Sequence, residues 1–156
     1  MSHTIRLNRD HGIAIIVGGC LWFQQQVLFS LNVGRLRSKF GIKPPTMYPS
    51  ESEIAELKLS KEDVTEYNCA QRIHQNNVEF LACYFPVMIV AGLAFPMETA
   101  YAGSVVLAGR MATAIGYTKD ASKRVWGAWF HIGEVYTTFL CGKLAYQLIT
   151  DVPNNN

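Results

Sequence analysis

Residues Gly12–Gly34 read GIAIIVGGCLWFQQQVLFSLNVG, twenty-three residues without a charge. At 1.5 Å per residue a helix of that length spans about 30 Å, the thickness of the hydrocarbon core of a bilayer. A soluble helix carries a charge every turn or two, and this stretch carries none. A second uncharged run covers Phe80–Met97. Residues 99–118 are interrupted only by Arg110, and residues 125–150 only by Glu134 and Lys143. The expected fold is all-α, an integral membrane four-helix bundle forming a single domain over 1–156. Its spans are expected at about 12–34, 68–96, 99–118 and 124–149, with a loop over 41–66.

Composition agrees with that reading. Charged residues make up 17% of the 156-residue chain, against about 25% in soluble domains. The net charge of +2 gives no reason to invoke nucleic acid. Four scattered cysteines (Cys20, Cys69, Cys83, Cys141) form no CxxC and have no histidine at ligand spacing. No metal site and no disulfide framework are expected. Arg6 and Arg9 precede an apolar run that contains VGGC (17–20), which has the look of a signal sequence. The run continues well past Cys20, so an uncleaved first span is expected.

Basic residues choose a side. Arg35, Arg37, Lys39, Lys43, Lys58 and Lys61 follow the first span, and Lys119, Lys123 and Arg124 lie between the third and fourth. The connection between the second and third spans has neither Lys nor Arg. The positive-inside rule therefore assigns both basic connections to the cytoplasm, with Arg6 and Arg9 a minor dissent. Pro44, Pro45 and Pro49 keep the first connection from continuing as a helix. Ser60, with Glu62 or Asp63, offers capping chemistry before the second span.

The chemistry concentrates where the second span begins. At 100° per residue, Asn68, Arg72, Asn76 and Glu79 fall on one arc of about 80°, while His74 lies nearly opposite. Arg110, Thr113 and Tyr117 share a face of the third span. An arginine inside a span is costly unless paired or wetted, which makes Arg110 a functional or bundle-interior candidate. Gln24–Gln26 are expected to make an interhelical hydrogen bond. Several arginines beside one Glu79 suit a ligand with carboxylates and an ammonium group.

These residues have a family likeness. NCAQRIHQNNVEF (68–80) resembles the signature of the MAPEG family, the membrane-associated proteins of eicosanoid and glutathione metabolism. GRMATAIGYTKDASKR (109–124) resembles that family's third helix and following turn. FSLNVGRLRSKF (29–40) extends the likeness, and the branch most similar is that of the type-3 microsomal glutathione transferases. The resemblance implies a homotrimer in the endoplasmic reticulum membrane that binds glutathione between subunits, facing the cytosol. It implies glutathione contacts at Arg37, Arg72, His74, Asn76, Glu79 and Tyr117, with Arg110 and Thr113 as further candidates. Arg124 matches the arginine that stabilises the glutathione thiolate, and is the expected catalytic residue.

That role is chemically sound. A free thiol ionises near pH 8.5, and a neighbouring arginine favours the anion. The thiolate, from glutathione as co-substrate with no metal, would attack a lipophilic electrophile or a lipid hydroperoxide arriving from membrane lipid. Thr113 stands where relatives usually have tyrosine, and Phe80 where some do. Ser38 stands where relatives often have a basic residue, which weakens a leukotriene C synthase-type reading. The other alternative is a non-catalytic lipid-binding scaffold, like the lipoxygenase-activating protein. That branch lacks the equivalent of Arg72 and has aspartate at the position of Glu79.

Overall fold

The computed structural model describes residues 6–150, and the ends of the expected 1–156 domain lie outside these. Among the described residues every regular element is helical. Helix α1 (Arg9–Phe40) opens at Asn8, whose side chain accepts from the backbone of Asp10 and His11. It closes at Gly41, where φ of 70° favours a residue without a side chain. Residues Gln24–Phe29 within α1 take a π-helical turn, which widens the helix and re-aims the glutamines.

After the proline-containing connection comes a short helix, α2 (Glu51–Glu56), capped by a reciprocal Ser50–Glu53 box. Its Glu53 is held below the usual carboxylate range, first by the Ser50 backbone N–H and then by the Thr46 and Ser50 hydroxyls. Helix α3 (Lys61–Ala94) starts with a second such box, Ser60 with Asp63. Phe95 alone separates it from α4 (Pro96–Lys119), whose first residue is the proline that a helix start tolerates. Residues Ala121–Gly127 then form a 3₁₀ stretch, and α5 (Phe130–Thr150) follows. Within the last expected span, about 124–149, the α-helix itself begins at Phe130. Arg124 belongs to the 3₁₀ turn that precedes it.

The reason is a seam of small residues. Ala102, Gly109 and Gly116 recur every seven residues and so share one face of α4. A Cβ on Gly109 would lie 2.6 Å from Phe130 Cβ and 2.9 Å from the Gly127 carbonyl oxygen. One on Gly116 would strike the Lys123 carbonyl, and one on Gly133 the Ala102 carbonyl. Backbone thus packs directly on backbone from the 3₁₀ turn into α5.

Leu21, Leu81, Tyr84, Met88 and Val106 form the central core, where α1, α3 and α4 meet. Outside it, Ile132 (69% exposed), Val135, Phe139 and Ile149 turn outward along α5. Water would not tolerate such a face, whereas lipid does. By length and composition, α1 and α3 are the described helices able to cross a membrane. Arg110 in α4, and Glu134 and Lys143 in α5, dilute the other two.

Candidate functional site

Helix α3 has 34 residues, about 50 Å, and overshoots a hydrocarbon layer of about 30 Å. Counting back about 20 residues from Ala94 reaches Gln75. On that count Asn68 and Arg72 lie on the polar turns that precede the apolar run, and Asn76 and Glu79 on its first turns. This accounts for a helix that is polar in one half and apolar in the other.

One small cleft, about 20 Å³, gathers Arg72, Asn76, Arg110, Thr113 and Tyr117, with Phe29, Ile73 and Ala114 as its apolar wall. Five candidates from the sequence therefore meet on α3 and α4. Glu79 stands two turns beyond Arg72, and its carboxylate is 3.8 Å from the Arg72 guanidinium. Both side chains of that pair are about half exposed, so each remains open to a further partner.

Arg110 anchors the cleft from below. It is 5% exposed. Its Nη2 donates to Asn76 Oδ1 at 3.0 Å and its Nε to Asn77 Oδ1 at 2.7 Å. The Phe80 and Phe130 rings lie 4.9 Å from its Cζ. Asn77, fully buried, donates in turn to Gln25 Oε1 at 2.8 Å. Gln25 Nε2 lies 2.8 Å from His74 Nδ1. A buried chain of side chains therefore joins the π-helical turn of α1 to α3 and α4, and aims Asn76 outward.

Not all candidates converge. His74 is half-buried, tied to Gln25, and does not line the cleft. Arg37 lies in the last turn of α1 with its Cζ 5.8 Å from the Tyr67 ring centre, also away from the cleft. Arg124 is exposed on the 3₁₀ turn and does not line the cleft within this chain. The Thr113 hydroxyl is buried without a hydrogen bond, and a Cβ on Gly127 would strike it. Asp120 caps the turn that carries Arg124. Its carboxylate accepts from the Ser122 backbone N–H at 2.7 Å, which holds it below the usual range.

Sequence reasoning did not single out Asn77 or Phe130. Asn77 lies off the polar arc, and its role appears only once Gln25 and Arg110 pack against it. The glutamine triplet was the legible signal, and two of its members do bond across helices, Gln24 Nε2 to the Leu107 carbonyl at 3.1 Å and Gln25 as above. Among the described residues no group of three metal-ligating side chains occurs.

The chain is similar in sequence to known proteins. The chain is 31% identical over 111 residues to the uncharacterized protein sll1147 of Synechocystis, covering 70% of this chain and 69% of that one. It is 30% identical over 121 residues to human Microsomal glutathione S-transferase 2, covering 77% and 73%. The MAPEG family model matches residues 16–146. The all-helical bundle with its two long apolar helices is a membrane protein, and the chain belongs to the MAPEG family.

Proposed function

We propose that the protein is a membrane glutathione transferase, similar to the type-3 branch, with glutathione peroxidase activity toward lipid hydroperoxides. One observation carries this reading: Arg72, Asn76, Arg110 and Tyr117 line a single cleft, with Glu79 beside Arg72. Glutathione offers two carboxylates, one ammonium group and a thiol. Arg72 suits a carboxylate, Glu79 the ammonium, and the outward-facing Asn76 and Tyr117 the peptide groups.

A cleft of about 20 Å³ cannot enclose a tripeptide. The rest of the site then comes from neighbouring copies, which supports a homotrimer with Arg37 of one copy facing the cleft of the next. Arg124, exposed on its turn, is the thiolate-stabilising residue. The basic connections after α1 and α4 favour a cytosolic site, and in a eukaryote the endoplasmic reticulum is the matching membrane.

The thiolate forms a carbon–sulfur bond with a lipophilic electrophile, whose leaving group or π bond takes the displaced electron pair. With a hydroperoxide it attacks oxygen. A sulfur–oxygen bond forms, the O–O bond breaks, and the alkoxide takes a proton. A second glutathione then converts the sulfenic acid to the disulfide and water. Ser38 is uncharged, and its hydroxyl donates to the Gly34 carbonyl, which weighs against leukotriene-specific conjugation.

The test is ultraviolet difference absorbance of the detergent-solubilised protein titrated with glutathione at neutral pH. Stoichiometric thiolate supports the transferase. Glutathione that binds without ionising, or fails to bind, turns the reading to a lipid-binding scaffold.

A further inference from the structure

A buried arginine can only donate, and Arg110 thereby fixes more than its own partners. Its Nε donates to Asn77 Oδ1 at 2.7 Å. The Asn77 amide must then turn its Nδ2 the other way, where it donates to Gln25 Oε1 at 2.8 Å. Gln25 has only its Nε2 left for the far side, where His74 Nδ1 lies at 2.8 Å and the His74 carbonyl oxygen at 3.4 Å. Gln25 Nε2 donates, so His74 Nδ1 accepts. The ring is therefore neutral and carries its proton on Nε2. Two buried amides, Asn77 and Gln25, carry this demand from the cation on α4 to the histidine on α3.

Arg110 acts outward as well. Its Nη2 donates to Asn76 Oδ1 at 3.0 Å, which leaves the Asn76 Nδ2 for a ligand of the cleft that Asn76 lines. Asn76 thus offers a donor, which selects an acceptor, a carboxylate or a peptide carbonyl. The guanidinium is a rigid planar fork, so its grip on Asn77 sets the place of its grip on Asn76.

Protonation of His74 contradicts every step. A ring with hydrogen on both nitrogens sets Nδ1–H against Gln25 Nε2, two donors face to face. Gln25 can turn its amide over, but its Nε2 then meets Asn77 Nδ2. Asn77 can turn over too, but its Nδ2 then meets Arg110 Nε, and arginine has no acceptor to offer. The conflict has no resolution within the chain, so one of its bonds breaks. His74 is in no ion pair among the described residues that would offset this. Of the titratable groups around it, Arg72 and Glu79 pair with each other and Tyr48 donates to the adjacent Gln75. Arg110 reaches it only through the two amides.

We propose that Gln25 and His74 are positioning residues for the cleft. Neutral His74 holds the chain in the polarity that turns the Asn76 N–H outward. Protonated His74 releases it, so ligand affinity falls with acid. That the ligand is glutathione rests on the transferase reading, whereas the polarity of the chain does not.

The experiment begins with magnetic resonance of the full chain in detergent, isotopically labelled at histidine and arginine nitrogens. The His74 and Arg110 signals are identified by their loss in His74→Gln and Arg110→Lys. At about pH 7.5 the expected His74 spectrum is that of the Nε2–H tautomer. On acidification to about pH 5.5 the Arg110 Nε–H signal should shift in step with His74 protonation. It should stay fixed in His74→Gln, whose amide oxygen accepts from Gln25 at either pH. Calorimetric titration with S-methylglutathione, which has no thiol to ionise, then reads the cleft. Its affinity should fall about 3- to 10-fold over that range, as for the loss of one hydrogen bond. In His74→Gln the affinity should not change with pH, and in Gln25→Leu it should be weak and equally flat.

An Nδ1–H tautomer at neutral pH would overturn the proposal. So would an Arg110 signal indifferent to His74, or an acid loss of affinity that persists in His74→Gln. If S-methylglutathione binds at no pH while the tautomer and the Arg110 response are as expected, the chain stands and the glutathione reading fails. If it binds the wild type equally well at both pH values, the glutathione reading stands and the positioning role is overturned.

Discussion

Arg110 Nε lies 2.7 Å from Asn77 Oδ1, and both residues are buried, so a cation inside the bundle is held by a neutral amide. No carboxylate makes a salt bridge with it among the described residues. Asn76 and the two facing phenylalanine rings complete its surroundings, replacing hydration with fixed dipoles and π faces. Asn77→Leu leaves the Nε proton unpaired. The expected loss is about 1–3 kcal/mol, read as a fall in the melting temperature of the detergent-solubilised protein. Arg110→Leu strands both asparagines and should cost about as much. The double variant should lose less than the sum, because the stranded partner is gone too. Strict additivity would show that the two residues do not act as a unit.

Arg124 gives the sharpest test of mechanism. An arginine within reach of a thiol lowers its pKa by roughly one to three units, by analogy with a carboxylate beside arginine. Arg124→Ala should still bind glutathione, since the cleft residues are untouched, but the midpoint of thiolate formation should rise by about that amount. Arg124→Lys should fall between, keeping the charge and losing the planar fork. A thiolate titration in Arg124→Ala that overlays the wild type would remove the residue from the mechanism.

Arg72 and Glu79 are separable by the same logic. Their 3.8 Å pair is half exposed on both sides, and such pairs contribute at most about 1 kcal/mol to stability. Glu79→Gln and Arg72→Gln should therefore melt close to the wild type. Each should nonetheless weaken glutathione binding by roughly 10- to 100-fold, since a charge-assisted hydrogen bond contributes about 1.5–3 kcal/mol. Calorimetric titration beside a melt separates the two effects. Loss of stability with unchanged affinity would make the pair a structural one.

Much of this architecture was legible because apolar runs and polar arcs are periodic along one helix. The uncharged stretch of α1, the arc through Arg72, Asn76 and Glu79, and the shared face of Arg110 and Tyr117 all follow from residue spacing. What was missed depends on a second helix. Asn77 has no pattern of its own and acquires a role from Gln25 and Arg110. Gly109, Gly116 and Gly127 leave no hydropathy signal, yet their missing side chains hold the 3₁₀ turn against α4 and delay the start of α5 to Phe130. A helix start set by backbone contact cannot be read from the apolar character of residues 125–129. His74 is the contrast, since the family likeness names it as a ligand contact and within this chain its ring lies against Gln25.

Asp120 links the turn to pH. Its carboxyl is held below the usual value of 3.8, chiefly by the Ser122 N–H, so the group is ionised and capping throughout the neutral range. With a depressed folded pKa, its contribution is complete above about 3.8 and fades only as pH falls through the lower folded value. The pH profile of thiolate formation between 6 and 9 should accordingly be unchanged in shape by Asp120→Asn, which keeps an acceptor. Asp120→Ala removes the cap, loosens the turn carrying Arg124, and should lower the thiolate yield several-fold at every pH in that range. A profile that shifts in Asp120→Asn would mean that the charge itself reaches the thiol.

Gly127 offers the last test, because its effect on chemistry would have to pass through the backbone. A Cβ there collides with the Gly109 carbonyl and with Thr113, and would lie 2.6 Å from the Thr113 backbone nitrogen, so the turn must move. Overpacking of this kind costs about 1–3 kcal/mol. Gly127→Ala should therefore melt lower and also form less thiolate, since Arg124 lies three residues upstream on the displaced turn. Gly142→Ala in α5 is the control, with nothing within 4 Å of the added carbon and a gain in helix propensity of up to about 1 kcal/mol. It should melt at or slightly above the wild type and titrate identically. If Gly127→Ala lost stability yet ionised glutathione as the wild type does, the turn would have no part in placing Arg124. The small-residue seam would then serve the fold alone.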